Sequence, residues 1–203
     1  MYKRISPTKL TGDEPLINTD GKQVTVLDFW QYAFSNINAN VLRGAYAEFL
    51  VECAIKDLGK IETREAWGDW DVLSEEGTKI EVKCCSYIQD WDQADYTKIQ
   101  WGGLKAKELY YSEAVKPFKD LGVADYKSDV YVLALLKHKD HATLNILDLD
   151  QWDFYVLSRD QIRIVADDGP RVTIAQLMKH DYHPSSFSEL SNQLINITVP
   201  KDR

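Results

Sequence analysis

The feature that most constrains the fold is a change in the spacing of apolar residues at Gly59. Before it, over residues 41–58, apolar side chains recur every three or four positions, which is typical of an amphipathic helix. After it, over residues 70–87, apolar and polar side chains alternate, which is typical of a strand with one buried face. The sequence therefore predicts a helix followed by a sheet at the centre of the chain.

A β-hairpin is predicted within the alternating region. Its arms are residues 70–74 and 78–87, and Gly77 in the turn between them can adopt a positive φ. Because successive side chains of a strand point to opposite faces, the second arm carries two sets of side chains. One set is Ile80, Val82 and Cys84, and the other is Glu81, Lys83 and Cys85.

Shorter patterns predict the remaining elements and the domain organisation. The elements are a first helix over 24–34, a strand over 60–66, a helix over about 104–118, strands over 128–137 and 154–157, and closing helices over 173–180 and 186–195. This order is typical of an α/β or α+β domain with a mixed sheet, and we expect the α/β class. The length fits one domain over 1–203, with a core over about 41–158 and a helical extension over about 159–203.

Charge and composition narrow the class of protein. With 24 Lys and Arg against 32 Asp and Glu, the net charge of -8 argues against DNA binding through bulk positive charge, but it allows a local basic site. No apolar stretch is long enough to span a membrane, and the polar residues 1–12 do not resemble a secretory signal. Three cysteines, two of them adjacent, do not suggest a disulfide framework, so we expect a cytoplasmic protein.

Two carboxylates and a lysine are expected to meet at the hairpin. Glu81 and Lys83 emerge on one strand face, and Asp71 lies on the other arm, where pairing around the turn brings it near Glu81. Mg²⁺ prefers carboxylate and carbonyl oxygens, so Asp71, Glu81 and the carbonyl of Val82 can hold Mg²⁺ or Mn²⁺. Lys83 can then orient or deprotonate an attacking water and offset developing charge. The pattern predicts metal-dependent hydrolysis of phosphodiester bonds.

Glu48 is a further candidate, on the predicted central helix. It lies among apolar neighbours, and a carboxylate near a core stripe needs a partner or a metal. Each candidate also has a purely structural interpretation. Glu81 and Lys83 can form a solvated ion pair, and Glu48 can face water at the flank of its helix.

Glu48, Asp71 and the run Glu81-Val82-Lys83 together resemble the motif of the PD-(D/E)XK, or restriction-endonuclease-like, nuclease superfamily. The order of helix, strand and hairpin over residues 41–87 is similar to the common core of that superfamily. More narrowly, several runs look like a group of uncharacterised bacterial and phage-associated proteins within it. These runs are residues 43–44, 47–51, 77–83, 87–93, 128–132 and 150–156.

The resemblance implies a mixed β-sheet flanked by helices and metal-dependent cleavage of nucleic acid, with DNA as the expected substrate. By position, Asp71 and Glu81 would be metal ligands, Lys83 the catalytic lysine and Glu48 an accessory ligand. Whether ends or internal bonds are cut is left open by the sequence.

Two features depart from the superfamily motif. Trp70 stands where proline is common, and Asp69 shares the strand face of Asp71. Asp69 is therefore an alternative ligand, although the apolar residues that continue the strand favour Asp71. Members of such a superfamily can also keep the fold without the activity. The alternatives are a non-catalytic nucleic-acid- or protein-binding module, such as a phage- or defence-related regulator, and an acidic mimic of nucleic acid.

Other polar residues are candidates for contact with nucleic acid. Gln89 and Gln93 would share a face if their segment were helical, and glutamines can bond phosphates or base edges. Arg43 and Lys98 can contribute to a basic rim. Ordinary structural or surface roles are the alternative for all four. A homodimer is expected if both strands of a duplex are cut by two symmetric sites.

Overall fold

Helices and strands alternate along the chain, of which the computed structural model describes residue 5 and residues 7–64, 68–109 and 119–198. The described helices are α1 Val26–Phe34, α2 Asn40–Ile55, α3 Arg159–Val165, α4 Ile174–Lys179 and α5 Phe187–Thr198. The described strands are β1 Val72–Leu73, β2 Lys79–Ser86, β3 Gln100–Gly102, β4 Ala106–Leu109, β5 Lys119–Asp125, β6 Val130–Leu136, β7 Trp152–Ser158 and β8 Arg171–Thr173. Short 3₁₀ helices cover Leu58–Lys60 and Leu149–Gln151.

Four strands form a mixed sheet in the order β1-β2-β6-β7. β1 and β2 are antiparallel, and Gly77 in their turn has a φ of 84°, which confirms the predicted hairpin. β2 and β6 are parallel, with Glu81 beside Tyr131, whereas β6 and β7 are antiparallel. The pairs β3 with β8 and β4 with β5 form separate antiparallel ribbons. A mixed sheet with helices confirms the predicted α/β class.

Two different layers cover the faces of this sheet. The face that carries Val82 packs against α2 and α5 in one core cluster, to which α5 contributes Leu194. The opposite face carries Glu81 next to Tyr131, and its core cluster includes Trp101 from β3 and residues of β8, α3 and α4. The predicted alternation along β2 is therefore confirmed, and it turns Glu81 and Lys83 away from α2.

The first predicted helix is confirmed as α1. It begins with a capping box in which Thr25 and Asp28 exchange side-chain and backbone hydrogen bonds. None of its residues is fully buried, and Phe29 and Tyr32 are 52% and 90% exposed. Among the described helices, none has the length and apolar character needed to cross a membrane.

The predicted strand over 60–66 is wrong in its described part. Lys60 ends a 3₁₀ helix, and residues 61–64 form neither helix nor strand. The backbone carbonyl of Ile61 accepts a hydrogen bond of 2.6 Å from Nζ of Lys9, so a side chain provides the contact that a neighbouring strand would give. Residues 65–66 lie outside the described part of the chain.

The predicted helix over about 104–118 is also wrong where the structure describes it. β4 covers residues 106–109 and pairs with β5, so ladder hydrogen bonds outweigh the local helix propensity of this run. Residues 110–118 lie outside the described part. Two further elements were not predicted from the sequence. They are α3 and β8, and β8 lies within the extension that was predicted as helical.

Candidate active site

The hairpin holds Asp71 against the strand that carries Glu81 and Lys83. The backbone N–H of Asp71 donates to the carbonyl of Ile80 at 3.1 Å. The backbone N–H of Val82 donates to Oδ2 of Asp71 at 2.8 Å. Because β1 begins only at Val72, this carboxylate takes the place of a strand carbonyl beside Val82. The structure therefore brings together the three side chains that the sequence predicts to meet.

Asp71 is in an environment that disfavours its charge. Burial first, and then the negative charges of Glu81 and Glu48, raise the pKa of Asp71 from 3.8 to about 6, although Lys83 and the Val82 N–H act in the opposite direction. The loss of water around Asp71 therefore contributes more to the raised pKa than the neighbouring charges do.

Glu81 is a buried carboxylate, 5% exposed, with three polar neighbours. Nζ of Lys83 donates to its Oε1 at 2.5 Å, and Oγ of Ser128 donates to its Oε2 at 3.3 Å. Nζ of Lys127 lies 3.8 Å from the same Oε2. Lys127 and Ser128 were not predicted from the sequence, because only the parallel pairing of β2 with β6 places the start of β6 beside Glu81.

Lys83 is held as a cation. Burial by itself would lower the pKa of Lys83, but the charges of Glu81 and Asp71 outweigh burial, and the pKa is raised. At neutral pH the side chain therefore donates hydrogen bonds, and it is not a free base. The segment after β3 passes over its stem, where a Cβ added at Gly103 would lie 3.9 Å from Cε of Lys83.

Glu48 neither faces water nor lacks a partner. Nε of Arg64 donates to its Oε2, and Nη2 of Arg64 donates to its Oε1 at 2.7 Å. This two-point hydrogen bond raises the pKa of Arg64 against the effect of burial, with a further contribution from Asp71. Arg64 was not predicted as a residue of the site, since it belongs to the segment that was predicted as a regular strand.

A cleft of about 180 Å³ opens beside Asp71. Its lining includes Glu48, Arg64 and Trp70 together with Asp71, but neither Glu81 nor Lys83. Asp71 therefore connects two groups of residues, the cleft with its Glu48–Arg64 pair and the buried Glu81–Lys83 pair.

The donor set at Asp71 and Glu81 fits a hard divalent cation. Strand pairing holds the two carboxylates together, and burial together with the charge of Glu81 disfavours the charged form of Asp71, which a bound cation would offset. The carbonyl of Val82 points to the same side of β2 as its N–H, toward Asp71. Across the described ranges, no three His, Cys, Asp or Glu side chains are placed to hold a metal. A carbonyl and water molecules would complete the shell, as Mg²⁺ allows.

Arg43 and Gln89 serve the fold, contrary to their predicted contact with nucleic acid. They are 3% and 7% exposed, and Nη2 of Arg43 donates to Oε1 of Gln89 at 2.9 Å. Nη1 of Arg43 also donates to the carbonyl of Asn38 at 2.6 Å. This network ties the start of α2 to the loop after β2 and leaves the guanidinium turned inward.

The segment through Gln89 and Gln93 is not helical, because the loop after β2 is irregular. The two glutamines nevertheless meet, since the N–H of Gln89 donates to Oε1 of Gln93 at 2.7 Å. Both also donate to Oγ1 of Thr97, at 2.9 and 3.0 Å. Of the four residues predicted to contact nucleic acid, Lys98 is exposed and remains a candidate.

Positive charge does not concentrate around Lys83 alone. Three cations, Lys83, Lys127 and Arg64, face the three carboxylates of the site. Elsewhere, basic side chains form ion pairs spread over the surface, among them Lys60–Glu75, Lys105–Asp168, Lys137–Asp153, Arg159–Asp129 and Arg163–Asp125. The site is therefore close to neutral, and strong attraction of a polyanion needs an added cation.

Comparison with known proteins assigns neither a family nor a function to this chain. No protein-family model matches the chain, and no curated protein matches it.

Proposed function

We propose that this chain is a metal-dependent nuclease with a restriction-endonuclease-like core, which hydrolyses phosphodiester bonds in DNA. The observation that carries the proposal is the position of Asp71, hydrogen-bonded to Val82 between Glu81 and Lys83, with a pKa raised to about 6. Two neighbouring carboxylates, one of them buried with its charged form disfavoured, are a site for Mg²⁺ or Mn²⁺.

Each residue of the site has a role in this proposal. Asp71, Glu81 and the Val82 carbonyl would hold the cation, with Glu48, which pairs with Arg64 in this structure, as an accessory ligand. A cation held there would polarise a phosphate oxygen and lower the pKa of a bound water. Protonated Lys83 orients that water and stabilises the negative charge that develops on the phosphate.

The order of elements supports the proposed core. A helix carrying Glu48 precedes a hairpin carrying Asp71 and Glu81, and a parallel strand and then an antiparallel strand extend the sheet. We also propose a cytoplasmic location and a homodimer in which two sites cut opposite strands of a duplex. Light scattering on the purified chain measures the oligomeric state directly, and a monomer at micromolar concentration would exclude the dimer.

A non-catalytic binding module is the second candidate function. The observation that favours it is internal pairing, because Arg64 occupies both oxygens of Glu48, while Lys83 and Lys127 flank Glu81. A site whose carboxylates are already paired can persist without a metal.

Cleavage assays distinguish the two functions. We expect the purified protein to cut DNA with Mg²⁺ or Mn²⁺ and to stop when the metal is chelated. Plasmid, linear, single-stranded and RNA substrates, offered in parallel, define the substrate. Asp71→Asn and Lys83→Ala should each reduce the rate by about 10²-fold or more. Asp69→Asn, which changes the alternative ligand, and Lys137→Ala, which removes a surface ammonium, serve as matched controls.

The outcomes that contradict the nuclease are specific. Undiminished cleavage by Lys83→Ala would exclude the proposed mechanism, and loss of cleavage in Asp69→Asn alone would move the ligand to Asp69. If calorimetry with Mn²⁺ detects no binding that Asp71→Asn abolishes, the non-catalytic module is the better assignment.

A further inference from the structure

Arg64 is the group at the cleft best placed to change partners. It lies in residues 61–64, which form neither helix nor strand, and its side chain is 50% exposed, whereas that of Glu48 is 13% exposed. The guanidinium faces both Glu48 and Asp71, and all three residues line the cleft. A half-exposed arginine on an irregular segment can turn toward solvent without breaking a helix or a sheet.

Arg64 and a metal ion would compete for the negative charge of Glu48. The pair uses both carboxylate oxygens of Glu48, one for Nε and one for Nη2 of Arg64. A cation bound at Asp71 would repel the guanidinium and attract the same carboxylate. Each of the two cations therefore weakens the interaction of Glu48 with the other.

We propose that Arg64 is a phosphate-binding residue that Glu48 stores in the free protein. When a cation takes Glu48, the guanidinium is released and binds a backbone phosphate of the nucleic acid lying in the cleft. The planar guanidinium that donates to two oxygens of Glu48 can donate in the same way to two oxygens of a phosphate. This inference rests on the proposed nuclease function, and it adds an exchange between metal and substrate binding.

Metal affinity provides the first test. Arg64→Ala should tighten Mn²⁺ binding about five- to tenfold in calorimetry, because Glu48 loses a competing exposed partner. In a Glu48→Gln background the same substitution should change Mn²⁺ affinity less than twofold, since no carboxylate is left to release. Arg163→Ala is the matched control, because Arg163 is another half-exposed arginine held by aspartates, Asp125 and Asp168.

Nucleic-acid affinity provides the second test, with the opposite sign. With Mn²⁺ present and Lys83→Ala to prevent turnover, Arg64→Ala should weaken binding of a short DNA duplex about tenfold and lower the salt slope by about one. Arg64→Lys should recover part of the affinity, since a point charge replaces the fork. Circular dichroism on each variant checks that it is folded.

The possible failures can be told apart. If Mn²⁺ binds in a manner that Asp71→Asn abolishes, yet Arg64→Ala leaves both affinities unchanged, Arg64 is only a structural partner of Glu48 and this inference is overturned. If Arg64→Ala weakens Mn²⁺ binding, the exchange is also excluded. If no Mn²⁺ binding depends on Asp71, the proposed function fails, and the exchange fails with it.

Discussion

Oδ2 of Asp71 accepts a hydrogen bond of 2.8 Å from the backbone N–H of Val82, the residue between Glu81 and Lys83. This bond fixes a carboxylate by the main chain of a strand, which is more rigid than a contact between two side chains. It also explains how Asp71 is held at the pair formed by Glu81 and Lys83.

Neutralising Asp71 should stabilise the fold at neutral pH. The pKa of about 6, against 3.8 for an ordinary aspartate, means that the folded state prefers the protonated form. The stabilisation of the fold by protonated Asp71 is fully present below pH 4 and is lost as the pH rises through 6. Asp71→Asn should therefore be more stable than the wild type at pH 7.5 by on the order of 2 kcal/mol.

Urea unfolding of both proteins from pH 3.5 to 8 measures this difference. The advantage of Asp71→Asn should shrink steadily below pH 6 and vanish near pH 4. Asp69→Asn provides the comparison for loss of one nearby negative charge. A difference that does not change with pH would show that the aspartate charge is not the cause.

Lys83 should contribute more to stability than Lys127, although both flank Glu81. The N–O distances are 2.5 Å and 3.8 Å, and Glu81 is buried, so loss of the closer partner leaves more of its charge uncompensated. We expect Lys83→Met to cost about 2–3 kcal/mol and Lys127→Met about 1 kcal/mol at pH 7. Urea unfolding measures both free energies.

Glu81→Gln provides the reference for this pair of lysines. In that background both methionine substitutions should cost much less, since the buried charge is gone. Lys137→Met, at a surface ion pair, should change stability by less than about 0.5 kcal/mol. Equal costs for Lys83→Met in the presence and absence of the Glu81 charge would contradict the predicted coupling.

Arg43 should matter for folding and not for nucleic acid. Its buried guanidinium bonds Gln89 and Asn38, so Arg43→Met should destabilise the protein by about 2–4 kcal/mol because their oxygens lose their donor. The exposed Lys98→Met should have little effect on stability. Thermal unfolding together with DNA binding separates the two roles, and reduced DNA affinity of a fully folded Arg43→Met would restore the predicted contact.

Trp101 should be a strong anchor of the layer over Glu81 and Lys83. It is 1% exposed, and its Nε1 donates to the backbone carbonyl of Ala134 at 3.0 Å. Trp101→Phe should cost about 2–3 kcal/mol, since a cavity forms and a buried carbonyl loses its donor. The exposed Trp91→Phe is the control with the same chemical change, and similar losses in the two variants would contradict the assigned burial of Trp101.

Patterns of short range predicted the central hairpin and helix well. The turn at Gly77 and the alternation along β2 depend on neighbours within a few residues, and the structure follows both. The helix is found as α2, but its buried side chains are those of Arg43, Ala47, Leu50 and Val51, and Phe49 of the predicted apolar stripe is 45% exposed. The convergence of Asp71 on Glu81 follows from the same local pairing, so the sequence was sufficient to predict it.

Contacts between distant segments were not predictable in this way. Lys127 reaches Glu81 only through the parallel pairing of β2 with β6, and Arg64 reaches Glu48 from a segment without regular structure. Arg43 was misplaced for a related reason, since its partner Gln89 lies in a loop whose path no periodicity specifies. Lone polar residues carry no signal of their burial in a single sequence.

The parallel pairing of β2 with β6 determines when the site can be assembled during folding. The hairpin arms bearing Asp71 and Glu81 close locally, on a timescale of about microseconds. The parallel partner, β6, can pair with β2 only after the long connection over residues 87–129 has closed, and closing such a loop costs conformational entropy. We therefore expect Lys127 and Ser128 to reach Glu81 late, after the acidic pair has formed. The neutral site of the native protein is completed only when the second half of the chain has been synthesised and docked.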